Sequence, residues 1–147
     1  MRNNFEIIVR GLVIKDGKIL VCRTFGHDYF FLPGGHVEFG ENIREGLLRE
    51  FKEETGLIIN KSKFIGTVEN IFRQDGRLNH EINFVFETKI DGNIGNSREK
   101  HLMFSWLTPR EVINEKFVPP VLRNAIIKWM ADKNPFFILS EEEDNTS

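Results

Sequence analysis

Between Gly35 and Gly56 three carboxylates, Glu50, Glu53 and Glu54, recur at spacings that put them on one side of a single helix. A glycine-rich turn, Pro33-Gly34-Gly35, sits just upstream. The pattern predicts a helix over Asn42–Thr55. Asn42 offers a side-chain oxygen to an unpaired N–H of the first turn, and Glu45, three residues on, completes a capping-box pattern. Gly56 suits the left-handed position that closes a helix. At about 100° per residue, the three glutamates lie within an arc of roughly 100°. Leu47, Leu48 and Phe51 fall on the neighbouring arc and are expected to face the core, while Gly46 leaves the acidic edge without a bulky side chain. A glutamate run on a helix is most often a solvated stripe. Like charges one turn apart, however, cost a helix a few tenths of a kcal/mol per pair. Arg44, Arg49 and Lys52 relieve part of this, and a bound divalent cation would relieve it more directly. Carboxylate oxygens are the preferred ligands of hard ions such as Mg²⁺ and Mn²⁺.

The flanking sequence reads mostly as strands. Phe5–Ile14 and Lys18–Thr24 are predicted to form a hairpin through Lys15-Asp16-Gly17, because Asp-Gly between apolar runs favours a tight turn. Tyr29–Leu32 reads as a short strand leading into the glycine turn. Lys63–Phe72 is rich in β-branched and aromatic residues, Gln74-Asp75-Gly76-Arg77 makes a turn, and His80–Ile90 alternates between two faces. Asp91–Lys100 reads as a loop and Leu102–Leu107 as a strand. Pro109 opens a short helix containing Glu111 and Val112, and Pro119-Pro120 introduces a last helix with Trp129 on its apolar stripe. Strands with one helix mid-chain and one late predict an α/β fold, a mixed sheet between helices.

At 147 residues the chain has the length of one domain, expected over 1–139, with a disordered acidic tail over 140–147. Forty per cent apolar residues suffice for a packed core. A net charge of −2 gives no basic surface for nucleic acid. The single Cys22, inside Ile19-Leu20-Val21-Cys22, reads as a buried thiol. No apolar run is long enough to span a membrane and the N-terminus has no signal-peptide core, so a cytoplasmic location is expected.

Taken whole, the segment is Gly35, five residues, Glu41, seven residues, then Arg49-Glu50-Phe51-Lys52-Glu53-Glu54-Thr55-Gly56-Leu57. This resembles the Nudix box at every fixed position. Phe51 is a mild departure, since an aliphatic residue is commoner there. Leu32-Pro33-Gly34-Gly35 leading in and Phe104-Ser105-Trp106-Leu107-Thr108-Pro109 near the end are compatible with the wider family. The resemblance implies the Nudix fold, an α/β/α sandwich with a mixed β-sheet and the box as loop–helix–loop. It also implies a divalent-metal-dependent hydrolase that cleaves a phosphoanhydride bond in a nucleoside diphosphate linked to another group. Carried over by position, Glu50 and Glu54 are the principal ligands of Mg²⁺ or Mn²⁺, Glu53 is a further ligand, and the Gly34 carbonyl adds a backbone oxygen. Gly35, Glu41, Arg49 and Gly56 support the box, with Arg49 pairing to Glu41. The base is left open between Glu50 or Glu53 in the box and Glu81 or Glu99 outside it.

Weaker signals surround this site. Arg23, near the glycine turn, is a candidate phosphate contact, and Phe72 and Phe31 are candidate stacking partners for a nucleobase. His80 beside Glu81 could form a metal site, though a single histidine on an alternating strand is more often structural. Two other functions fit the segment: a catalytically inactive nucleotide-sensing module of the same fold, and a metal-stabilised structural domain. The partner expected is a small-molecule nucleotide, with no nucleic acid and no membrane. Oligomeric state is left open, with a homodimer among the options. Substrate choice lies outside the box. The proline expected about sixteen residues past the box in ADP-ribose hydrolases is replaced by Ile71-Phe72-Arg73-Gln74, and a (d)NTP remains by elimination.

Overall fold

The computed structural model describes residues 3–94 and 99–141. Strand β1 (Asn4–Leu12) lies second in a five-stranded sheet. Its neighbours are β4 (Gly34–His36), antiparallel on one side, and β6 (Arg77–Ile90), parallel on the other. Strand β5 (Ile59–Gln74) pairs antiparallel with β6, and β8 (Phe136–Glu141) runs parallel to β5 at the far edge. A separate three-stranded sheet holds β2 (Ile14–Lys15), β3 (Lys18–Thr24) and β7 (Leu102–Leu107). The predicted first hairpin is therefore split. Asp16 and Gly17 both take positive φ and turn β2 into β3, whereas β1 belongs to the larger sheet, the chain changing sheets at Val13.

Helix α1 (Ile43–Thr55) packs on β4 and β1, and α3 (Pro120–Asp132) covers the opposite face. A short α2 (Pro109–Ile113) follows a Thr108–Glu111 capping box. Two apolar clusters separate the layers. Val9, Leu20, Leu47, Phe51 and Phe86 lie under α1. Leu12, Val68, Val85, Leu122, Ile126 and Trp129 lie under α3. The mixed sheet between helices matches the expected α/β sandwich. No helix among the described residues is long and apolar enough to cross a membrane.

Four local expectations are corrected. Gly34-Gly35 is a strand rather than a turn. Gly34 has φ 145, and a β-carbon there would overlap the Val9 carbonyl oxygen, so glycine lets β4 close on β1. Tyr29–Leu32 makes only isolated bridges, because successive residues bond to different segments: Phe31 exchanges N–H and C=O with Cys22 on the edge of β3 away from β7, and Phe30 bonds Lys116 and Val118 around Phe117. Leu48 is 46% exposed, since the buried stripe of α1 runs through Leu47, Phe51, Glu54 and Thr55. The tail does not begin at Ser140: Ser140 and Glu141 continue β8 beside Asn70 and Ile71, and residues 142–147 lie outside the described residues.

Candidate active site

The helix that carries the carboxylates is fixed at both ends. The Asn42 side chain accepts the Glu45 N–H at 2.9 Å, and the Glu45 carboxylate accepts the Asn42 N–H at 3.2 Å. Gly56 closes the helix in the left-handed conformation with its N–H on the Lys52 carbonyl. Leu47 and Phe51 anchor the helix in the core, and Phe51 lies where a β-carbon on Gly11 would be.

Register decides what faces the helix. Gly11 donates to the Pro33 carbonyl and Val37 to the Ile7 carbonyl. Gly34 and His36, opposite Arg10 and Ile8, then occupy positions whose N–H and C=O leave β1 and point outward. Both meet α1. The His36 carbonyl accepts Arg49 Nη2 at 2.8 Å, and the Gly34 N–H donates to Glu54. The Gly34 carbonyl leaves on the same edge.

Arg49 organises the loop. Its Nε donates to Glu41 Oε2 at 2.8 Å and its Nη2 to Glu41 Oε1 at 3.0 Å, a two-pronged pair. The Glu38 N–H donates to the same carboxylate. These bonds hold the Glu41 carboxyl below its ordinary range, the Arg49 contact first and the Glu38 N–H second, and they keep Arg49 firmly protonated. A β-carbon on Gly46 would sit 3.1 Å from both Glu41 Oε1 and Val37 Cγ2, so the missing side chain admits the loop.

The three carboxylates have different surroundings. Glu50 lies against Gly35 and accepts Arg49 Nη1 at 3.0 Å. Glu53, at the rim, accepts the same nitrogen at 3.3 Å. Glu54 is 5% exposed and belongs to the core-facing stripe. Burial pushes its carboxyl up to about 8, the charges of Glu50 and Glu99 add to the rise, and Arg10 and the Gly34 N–H oppose it. No group of three or more His, Cys, Asp or Glu among the described residues forms a ready metal cluster. The expected single acidic arc is thus divided, because Glu54 turns inward and Arg49 stands between Glu50 and Glu53.

Beyond the box the candidates separate. Glu99 comes close enough to Glu54 for its charge to be felt there. Glu81 lies level with Glu6, four residues along β1 from the Arg10–Gly34 pair, roughly 13 Å at the strand rise. Phe72, opposite Asn79 and level with Asn4, is farther still, roughly 20 Å along the strand. Arg23 lays its guanidinium 5.5 Å from the Phe30 ring centre. His80 is bound to Glu69 at 2.6 Å. Cys22 is fully buried, and burial, then Glu54, raises its thiol well above the usual range.

Arg10 is the site residue not singled out from the sequence. Its Nη1 donates to the Leu32 carbonyl at 3.0 Å, and the guanidinium lies 5.6 Å from the Phe31 ring centre, facing Glu54. Phe31 therefore supports an arginine. The available signal was a lone charge inside the apolar run Ile7-Ile8-Val9-Arg10-Gly11-Leu12.

The NUDIX domain profile matches residues 6–130. A MutT-like protein of Streptomyces ambofaciens is 32% identical over 108 residues, 73% of this chain and 66% of that protein. An ADP-ribose pyrophosphatase of Methanocaldococcus jannaschii is 39% identical over 89 residues, 58% of this chain and 52% of that protein. The chain thus spans less than two thirds of either relative. Among solved structures, a MutT protein of Bacillus halodurans superposes with a TM-score of 0.77 at 18% identity, covering 97% of this chain and 93% of that one, a likeness of fold.

Proposed function

The chain belongs to the NUDIX family, and we propose that it is a divalent-metal-dependent hydrolase cleaving a phosphoanhydride bond in a nucleoside diphosphate linked to another group. One observation carries this reading: the Glu50 carboxylate seated on Gly35, beside a buried Glu54 that meets the outward edge of Gly34. The donors gathered there are all oxygens, two carboxylates and a backbone carbonyl, a set that suits Mg²⁺ or Mn²⁺. Glu50, Glu54 and the Gly34 carbonyl would hold the ion, with Glu53 at the rim. A bound ion would neutralise diphosphate oxygens and lower the pKa of the attacking water.

The chain's own groups do the positioning. Arg49 ties Glu41, Glu50, Glu53 and the His36 carbonyl together, so the carboxylates are aimed before substrate arrives. Such preorganisation carries most of the catalysis in phosphoryl transfer. Proximity to Glu54 supports Glu99, over Glu81, as the base candidate outside the box, beside Glu50 and Glu53. Family members act on small nucleotides, and the name of the Methanocaldococcus jannaschii relative puts ADP-ribose on the panel to be tested.

The test is a phosphate-release screen over nucleoside triphosphates, nucleotide sugars, ADP-ribose and dinucleoside polyphosphates, with Mg²⁺ and with Mn²⁺. Glu50→Gln is the control, expected to lower turnover by about 10²-fold or more. Cleavage of nothing on the panel, with tight nucleotide binding, would overturn the hydrolase reading in favour of the sensing module.

A further inference from the structure

Arg10 places a cation inside the site. The register of β1 on β4 sets it opposite Gly34, the residue whose carbonyl is offered to the ion. Two contacts fix its guanidinium: Nη1 donates to the Leu32 carbonyl at 3.0 Å, and the Phe31 ring centre lies 5.6 Å away. Its charge acts on Glu54 of α1 and on Cys22 of β3, so it stands where these elements approach one another. The residue is partly buried, and its Nε is buried with no hydrogen-bond partner among the described residues. A buried donor left unpaired is costly, and more so on a charged group.

Two other arginines lie near the glycine strand, and each is directed elsewhere. Arg49 is occupied by Glu41, Glu50 and the His36 carbonyl. Arg23, which the sequence offers as a phosphate contact, is separated from Glu54 by strand alternation. Cys22 sends its Sγ to the Phe31 carbonyl and feels the charges of Glu54 and Arg10. Arg23, the next residue, is turned to the opposite face of β3, against the Phe30 ring and level with the exposed Met103. Arg10 faces Glu54, and Arg23 faces away from it.

We propose that Arg10 binds the diphosphate of the substrate, and that through it the ion and the diphosphate strengthen each other's hold on the site. This rests on the hydrolase reading for the ion held by Glu50, Glu54 and the Gly34 carbonyl. A guanidinium and a divalent cation beside one buried carboxylate repel each other, so Arg10 weakens the ion's binding while the site holds no anion. A diphosphate reverses the sign. It meets both cations, and the planar fork of arginine matches phosphate oxygens. Glu50, Glu54 and Glu99 gather negative charge here, which repels an anion arriving without a divalent ion. Such coupling is reciprocal: whatever the diphosphate adds to the ion's affinity, the ion adds to that of the diphosphate.

Equilibrium dialysis of Mn²⁺ against the full chain, with and without methylenediphosphonate, tests the proposal. The probe is a diphosphate that water cannot split, and its own Mn²⁺ complex distributes equally across the membrane. Wild type should hold Mn²⁺ at least about ten-fold more tightly with the probe than without it. Arg10→Gln should lose most of that gain and hold Mn²⁺ alone at least as tightly as wild type. Arg10→Lys, which keeps the charge without the fork, should fall between them. Should Arg10→Gln fail to fold in a melting experiment, Arg10→Lys and wild type still decide. Mn²⁺ bound by wild type with no gain from the probe would overturn the role of Arg10 and leave the ion site standing. No bound Mn²⁺ in either condition would overturn the hydrolase reading as well. A gain kept in full by both Arg10 variants, or lost equally in Arg23→Gln, would also overturn the role of Arg10. So would weaker binding of Mn²⁺ alone by Arg10→Gln, which would reduce the arginine to a prop for Glu54.

Discussion

A β-carbon on Gly35 would stand 2.5 Å from the carboxyl carbon of Glu50, so the absence of one side chain creates the seat of the other. Gly35→Ala must therefore move Glu50 rather than merely crowd it. A displacement of about 1 Å in a positioned group costs roughly 10²-fold in rate. We expect turnover to fall by about that factor and Mn²⁺ affinity to weaken, with the protein still folded by circular dichroism. Wild-type rates in this variant would remove Glu50 from the site.

Glu54 makes the ion-free protein sensitive to pH. Its carboxyl is raised from 4.5 to about 8, chiefly by burial, so folding favours the neutral form. That contribution is complete below about 4.5 and is lost as pH rises through about 8. In chelator, the melting temperature of wild type should fall relative to that of Glu54→Gln across this window. Mn²⁺ should restore wild type most at the alkaline end. Parallel melting curves for the two proteins would contradict the placement of Glu54.

Glu99 and Glu81 separate by register. Glu99 acts on Glu54 through its charge, whereas Glu81 lies far along β6 beside Glu6. Glu99→Gln should lower kcat by about 10- to 100-fold, while Glu81→Gln leaves it unchanged. Equal effects of the two substitutions would show that proximity to Glu54 has no catalytic meaning.

Arg49 uses its planar fork on Glu41 and still reaches the His36 carbonyl. Lysine keeps the charge but cannot span these acceptors. Arg49→Lys should lose about 1–2 kcal/mol of stability in chemical denaturation, allowing for the partial exposure of the pair. Its kcat should fall more than its affinity for substrate. Unchanged stability would mean that charge alone holds the loop.

The sequence by itself determined the helix, both of its caps and the family, because these depend on residues within one or two turns of each other: Asn42 with Glu45, Gly56 after Thr55, and the spacing from Gly35 to Leu57. The Asp-Gly turns were legible for the same reason, a positive φ at Asp16-Gly17 and Asp75-Gly76 being a local demand. Long-range pairing was not legible. Only the register of β4 on β1 turned Gly34 and His36 toward α1, and only the packing of that helix sent Glu54 inward while leaving Leu48 in solvent. Arg10 and Glu99 reach Glu54 from different strands and loops, and Phe72 and Glu81, level with β1's first residues, stay away. Side-chain spacing along a chain fixes direction within one helix or strand. Which carboxylate is buried depends on what the rest of the molecule places against it, and that is settled by contacts between residues remote in sequence.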